Sequence, residues 1–110
     1  MRLHPADLLK QLPLPPTERW LDGVFDIEVF ERGGLTMELF APRGTDRQTS
    51  HSQDELYFVI AGNAVLELDG VDHACTQGDA LFVAARVPHR FSRISDDFAT
   101  WAVFWGAAKA

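Results

Sequence analysis

The chain has 110 residues, 46% hydrophobic and 24% charged, a balance that suits one globular domain with its own core. Ten Lys and Arg against sixteen Asp and Glu give a net charge of −6. That excludes a general nucleic-acid binder and argues against attraction to an anionic membrane surface. Cys75 is the single cysteine, so no internal disulfide forms. The longest apolar run, residues 56–61, is far too short to cross a bilayer as a helix, and nothing near Met1 reads as a secretion signal. The expectation is a cytoplasmic protein that binds neither nucleic acid nor membrane.

In chain order, residues 5–12 predict one short helix. Pro5 suits a first helical turn, Leu8, Leu9 and Leu12 form an apolar stripe, and Pro13, Pro15 and Pro16 stop it. Residues 1–17 read as an arm lying on a domain formed by residues 18–110. Phe25, Ile27 and Val29 alternate with Asp26 and Glu28, the period of a half-buried strand. Gly33-Gly34 turns the chain into a second strand at residues 35–41, and residues 42–46 form a polar loop. Residues 56–60 predict a strand ended by Gly62-Asn63. Residues 64–68 predict the next, closed by Asp69-Gly70, a type I′ hairpin signal. Strands at residues 71–76, 80–84, 89–93 and 98–105 complete the set. Short strands with turns every eight to twelve residues predict an all-β sandwich or closed barrel.

Leu56, Tyr57, Phe58, Val59 and Ile60 do not alternate with polar residues, and Phe98 to Trp105 are similarly rich in large apolar side chains. A strand with one wet face should alternate. A second layer or a partner subunit must cover the outer face, and a homodimer is expected.

The residues able to do chemistry lie in two places, Thr49 to Glu55 and Gly78 to Phe91. His51, Glu55 and His89 have the composition of a two-histidine, one-carboxylate metal site, which leaves positions open for water or a ligand. On composition alone, two half-buried, hydrogen-bonded histidines and a solvated Glu55 are the commoner outcome. His73 and Cys75 share a strand face and read as surface decoration. Arg86, Arg90 and Arg93 cluster around His89 in sequence, and an arginine at a pocket rim would suit a carboxylate ligand.

Residues 49–62 resemble the first conserved motif of the cupin superfamily, which runs Gly, five residues, His-x-His, three or four residues, Glu, six residues, Gly. His51 fills the second His slot, Glu55 the Glu slot and Gly62 the closing Gly slot. Residues 78–89 resemble the second motif, with Gly78 and His89 in place. Thr49 stands in the first His slot and Gly44 is one residue too close to open the motif. Ala84 replaces a Pro, Arg86 a Gly and Arg93 a late Asn. The resemblance implies an all-β jelly-roll barrel, a double-stranded β-helix, with an interior site. The ligands would be His51, Glu55 and His89, and the ion a divalent metal such as Zn, Fe, Mn or Ni. Thr49 and Gln53 would line the pocket, with water or Gln53 completing the metal shell. By strand alternation Tyr57, on the face of Glu55, and Phe91, beside His89, would line the interior as well, plain core being the commoner role for such residues. Three functions follow from it: a metal-dependent oxygenase or isomerase, a small-molecule binding barrel, or a metal-free dimerising barrel. The catalytic residues, if the chain is an enzyme, are not identified by the motifs.

Overall fold

The tight turns divide the chain. At Asp69-Gly70 both residues take positive φ, 49° and 81°, and at Gly33-Gly34 the values are 58° and 85°. These are the conformations that a two-residue type I′ turn demands, and they fit the right-handed twist of the strands they join. In the computed structural model, which describes residues 1–46 and 51–106, one short helix, α1 (Pro5–Leu9), precedes eight strands. The strands are β1 (Asp26–Arg32), β2 (Leu35–Phe40), β3 (Asp54–Ala61), β4 (Asn63–Leu68), β5 (Val71–Thr76), β6 (Ala80–Val83), β7 (His89–Ser92) and β8 (Ala99–Trp105).

The strands form two antiparallel sheets. One has the order β1-β2-β8-β3-β6 and the other β5-β4-β7. Neighbours in these sheets are often distant in sequence, as with β2 beside β8, which is the wrapped arrangement of a jelly roll. The helix is shorter than the expected residues 5–12. Gln11 and Leu12 donate to Leu8 O and Leu9 O, three residues back, and the chain leaves the helix there. Pro13 has no N–H to donate to Leu9 O, so the helical bond that would carry the helix onward is missing. The strands match the expected segments within one to three residues, and β3 starts early enough to include Glu55. Among the described residues no helix is long and apolar enough to cross a membrane.

Residues directly opposite each other in a ladder share a face, so the register fixes what points inward. Glu55 pairs with Val83 and Phe104, and Tyr57 with Leu81 and Ala102, placing all of these inside. Tyr57, Leu66, Val83, Phe91 and Phe98 are essentially fully buried between the sheets, with Val59, Ala64, Cys75 and Ala102 beside them. Burying one such large apolar side chain contributes roughly 1.5–3 kcal/mol. The opposite face of β3 is less covered. Phe58 is 42% exposed and Phe82, on the neighbouring edge strand β6, is 52% exposed.

Gly62 joins β3 to β4 at φ +73°. A Cβ there would meet Ser95 Oγ at 2.5 Å, Asp97 Oδ1 at 2.6 Å and the Phe98 backbone Cα at 2.7 Å. Because one of these atoms is backbone, the neighbours cannot simply rotate away. Gly62→Ala is expected to destabilise the fold by more than about 1 kcal/mol, measured by denaturant unfolding.

Candidate metal centre

Glu55 is held on the interior face of β3 with only 1% of its side chain exposed, flanked on its two ladders by Val83 and Phe104. A carboxylate in such a place needs a proton, a cation or strong donors. Two histidines supply the contact. His51 precedes β3 and its Nε2 lies 2.9 Å from Glu55 Oε1. His89 opens β7, in the other sheet, and its Nε2 lies 3.1 Å from the same oxygen. The cluster therefore ties the two sheets together.

Both imidazoles are oriented from behind. His51 Nδ1 is 3.1 Å from Gln53 O, and His89 Nδ1 is 2.8 Å from Val87 O. A carbonyl only accepts, so each Nδ1 carries the proton and donates. This leaves each Nε2 to bind either a proton or a metal. A backbone carbonyl that fixes the non-ligating nitrogen is the usual support of a metal-binding histidine. The turn delivering Val87 O is itself pinned. Ala85 N donates to Asp54 Oδ1 at 2.9 Å and Arg86 N to His51 O at 2.7 Å. Phe104 and His89 pack edge-on to the His51 ring at centroid distances of 4.9 and 5.0 Å.

The three groups fit a divalent ion. One ligand atom from each lies within 4.8 Å of the others. Ligands about 2.1 Å from a common ion and at right angles to each other would be about 3.0 Å apart, the spacing of Glu55 Oε1 from each imidazole Nε2, 2.9 and 3.1 Å. A facial set of this kind leaves the other positions of an octahedral ion free. It is the one such group found among the described residues.

Burial alone would raise the Glu55 pKa. The hydrogen bonds and charges of His51 and His89 outweigh it, and the carboxyl lies below its ordinary value. Burial alone would lower that of His89, but Glu55, the Val87 carbonyl and the Asp46 charge carry it upward. Without an ion, the contact thus favours the charged forms of both Glu55 and His89.

His51 and Glu55 open onto a cavity of about 570 Å³, while His89 sits behind them. Of the other residues expected around the site, Gln53 reaches the cavity, but its amide Nε2 donates to Gly34 O and Gly106 O at 3.4 Å each. Its part in the cluster is played by its backbone carbonyl. Tyr57 and Phe91 are packed in the core, their rings 4.8 Å apart, rather than lining the cavity. Thr49 lies outside the described residues. Arg86, Arg90 and Arg93 do not line the cavity, and Arg90 pairs with Glu67 at 3.1 Å. His73 is exposed and has no part in the cluster.

The missed feature is the wall opposite. Asp26 pairs with Phe40, Glu28 with Glu38, and Glu38 with Ala102, so the acidic face of β1 and β2 is the inward one. The alternation in β1 is as expected, yet its carboxylates point into the cavity and Ile27 pairs with Leu39 on the other face. Glu38 hydrogen-bonds to Asp26. Burial, that bond, and the charges of Asp26, Glu55 and Glu28 push its pKa up from 4.5 to about 8. Between these values the folded chain keeps a proton that the unfolded chain has lost, so this group costs stability as pH rises through the window. In a comparison of thermal unfolding midpoints from about pH 5 to pH 8, Glu38→Gln is expected to fall less than the unmodified protein.

Residues 36–105 match the cupin domain family. A curated relative, an uncharacterised protein of Streptomyces coelicolor, is 38% identical over 60 residues, which cover 54% of this chain; the matched region spans just over half, 57%, of that relative. A cupin superfamily protein from Desulfitobacterium hafniense superposes with a TM-score of 0.68 over 96% of this chain and 92% of its own, at 17% identity. A candidate mannose-6-phosphate isomerase from Ralstonia eutropha gives 0.60 over 86% and 92%, at 27% identity.

Proposed function

This chain belongs to the cupin domain family, and on that premise we propose that it binds a divalent metal ion through His51, Glu55 and His89 and receives a small organic ligand from the adjoining cavity. The observation that carries the reading is the shared geometry of the three side chains. Their ligand atoms converge within 4.8 Å, and both imidazoles are held through Nδ1 so that Nε2 faces the carboxylate. Two neutral imidazoles and one carboxylate suit Zn, Fe, Mn or Ni. A bound ion would act as a Lewis acid on a ligand oxygen or nitrogen. The chain's own part is to hold the donors, orient them through the Gln53 and Val87 carbonyls, and shield them behind Phe104 and the core.

Purified without a histidine tag, the protein is expected to bind Co²⁺ or Zn²⁺ in a one-to-one ratio by elemental analysis and titration. His51→Ala and His89→Ala should each weaken binding by more than about tenfold, since even changes to supporting residues cost that much in metal sites. Metal affinity unchanged in both variants would refute the ligand assignment. A metal-free binding barrel is the second reading. It is favoured by the contacts that Glu55 Oε1 already makes with both imidazoles, at 2.9 and 3.1 Å.

We further propose a homodimer that covers the outer face around Phe58 and Phe82, which are large apolar side chains left exposed on adjacent strands. Cys75, free and buried, is in keeping with a reducing cytoplasm. Phe58→Asp is expected to convert the dimer to monomer or aggregate, because it places an unpaired charge in an apolar contact. An unmodified chain that sediments as a monomer at micromolar concentration would end the dimer proposal.

A further inference from the structure

The cavity beside the metal centre has two unlike walls. One holds His51 and Glu55. The other carries Asp26, Glu28 and Glu38, brought together by the pairing of β1 with β2. Glu28 and Glu38 are direct partners across the ladder, an arrangement of like charges that costs stability. Glu38 lies on the same face as Glu55, with β8 between them, and feels its charge.

Two cations, Arg19 and Arg43, also line the cavity, against five carboxyl residues, Asp26, Glu28, Glu38, Asp46 and Glu55. Arg43 Nη1 donates to the carbonyls of Ala41, Pro42 and Phe98 at 3.0, 3.0 and 2.7 Å. The Arg19 guanidinium lies 5.0 Å from the centre of the Trp20 ring at the mouth. The arginines near His89 in sequence are not part of the lining. Carboxyl groups outnumber arginines in the lining, so a carboxylate or phosphate entering the cavity would meet an excess of acceptors of its own sign. A hydroxyl or amine would meet acceptors that need donors.

Resting on the metal reading above, we propose that Asp26, Glu28 and Glu38 are specificity-determining residues: they make the cavity select neutral or cationic ligands bearing hydroxyl or amine donors, and reject anionic acids from the metal's open positions. The wall itself is not a metal site; it sets the field through which a ligand reaches one. The hydrogen bond between Glu38 and Asp26 lets that pair hold a proton, so the wall is an acceptor surface with one donor in it.

The test uses the full chain loaded with Co²⁺, whose visible spectrum reports ligands joining the metal. Azide serves as the anionic probe and imidazole as the neutral one, both at about pH 9, above the value of about 8 at which Glu38 gives up its proton. The double variant Asp26→Asn/Glu38→Gln is expected to tighten azide binding at least about tenfold and to change imidazole binding much less. Glu28→Gln, at the open side of the wall, should shift azide affinity in the same direction and provides a second reading if the double variant does not fold. Azide binding equally tight in the unmodified protein and the variants would overturn the role of the wall alone. No cobalt spectrum in the unmodified protein would overturn the metal assignment, and this inference with it.

Discussion

A single buried carboxylate organises this molecule. Glu55 sits near the start of β3, between β8 and β6, with one oxygen touched by two imidazoles, one from the segment before β3 and one from β7 in the other sheet. A lone ion in that place would be several kcal/mol too costly, so the fold has to bring donors to it. That requirement reaches outward. His51 and His89 must present Nε2, which requires the Gln53 and Val87 carbonyls behind them. Val87 in turn depends on a turn held by Asp54 Oδ1 and by the His51 carbonyl. The same chain of contacts satisfies the carboxylate with protons or supplies a metal with three ligands.

The interior is divided rather than uniform. Tyr57, Phe91 and Phe98 fill one region with edge-on and tilted rings, at 4.8 and 4.9 Å between neighbours, and give the barrel its core. The remaining space is the cavity, where β1 and β2 contribute acidic side chains instead of apolar ones. The apolar part stabilises the fold by excluding water. The polar part spends some of that stability on mutual repulsion, which is the pattern expected where a wall is built for recognition rather than packing.

Departures from the family motif make physical sense at the backbone level. Arg86 stands where the motif has Gly and takes φ 67°, and Arg93 stands where it has Asn and takes φ 49°. Gly and Asn are the residues that enter the left-handed region most readily. The backbone has kept the conformation that those residues serve, although both side chains have changed. The turn before His89 thus retains its path, and the histidine retains its place, without the glycine.

Much was legible in the sequence because it is local. Glycine pairs and Asp69-Gly70 mark turns whose dihedral angles few other residues adopt, and strand length follows from where those turns fall. The motif spacing carried His51, Glu55 and His89 into one cluster, since strands of fixed rise and a known wrapping order place them at one level of the barrel. What the sequence could not decide is which side of a strand faces inward when both sides have plausible occupants. A period of two distinguishes the faces of β1 but does not say that Asp26 and Glu28, rather than Ile27, turn into the cavity. Nor does it say that Gln53 serves through its carbonyl. Those outcomes depend on the register of β1 on β2 and of β2 on β8, contacts between segments far apart in the chain, and only the closed barrel settles them.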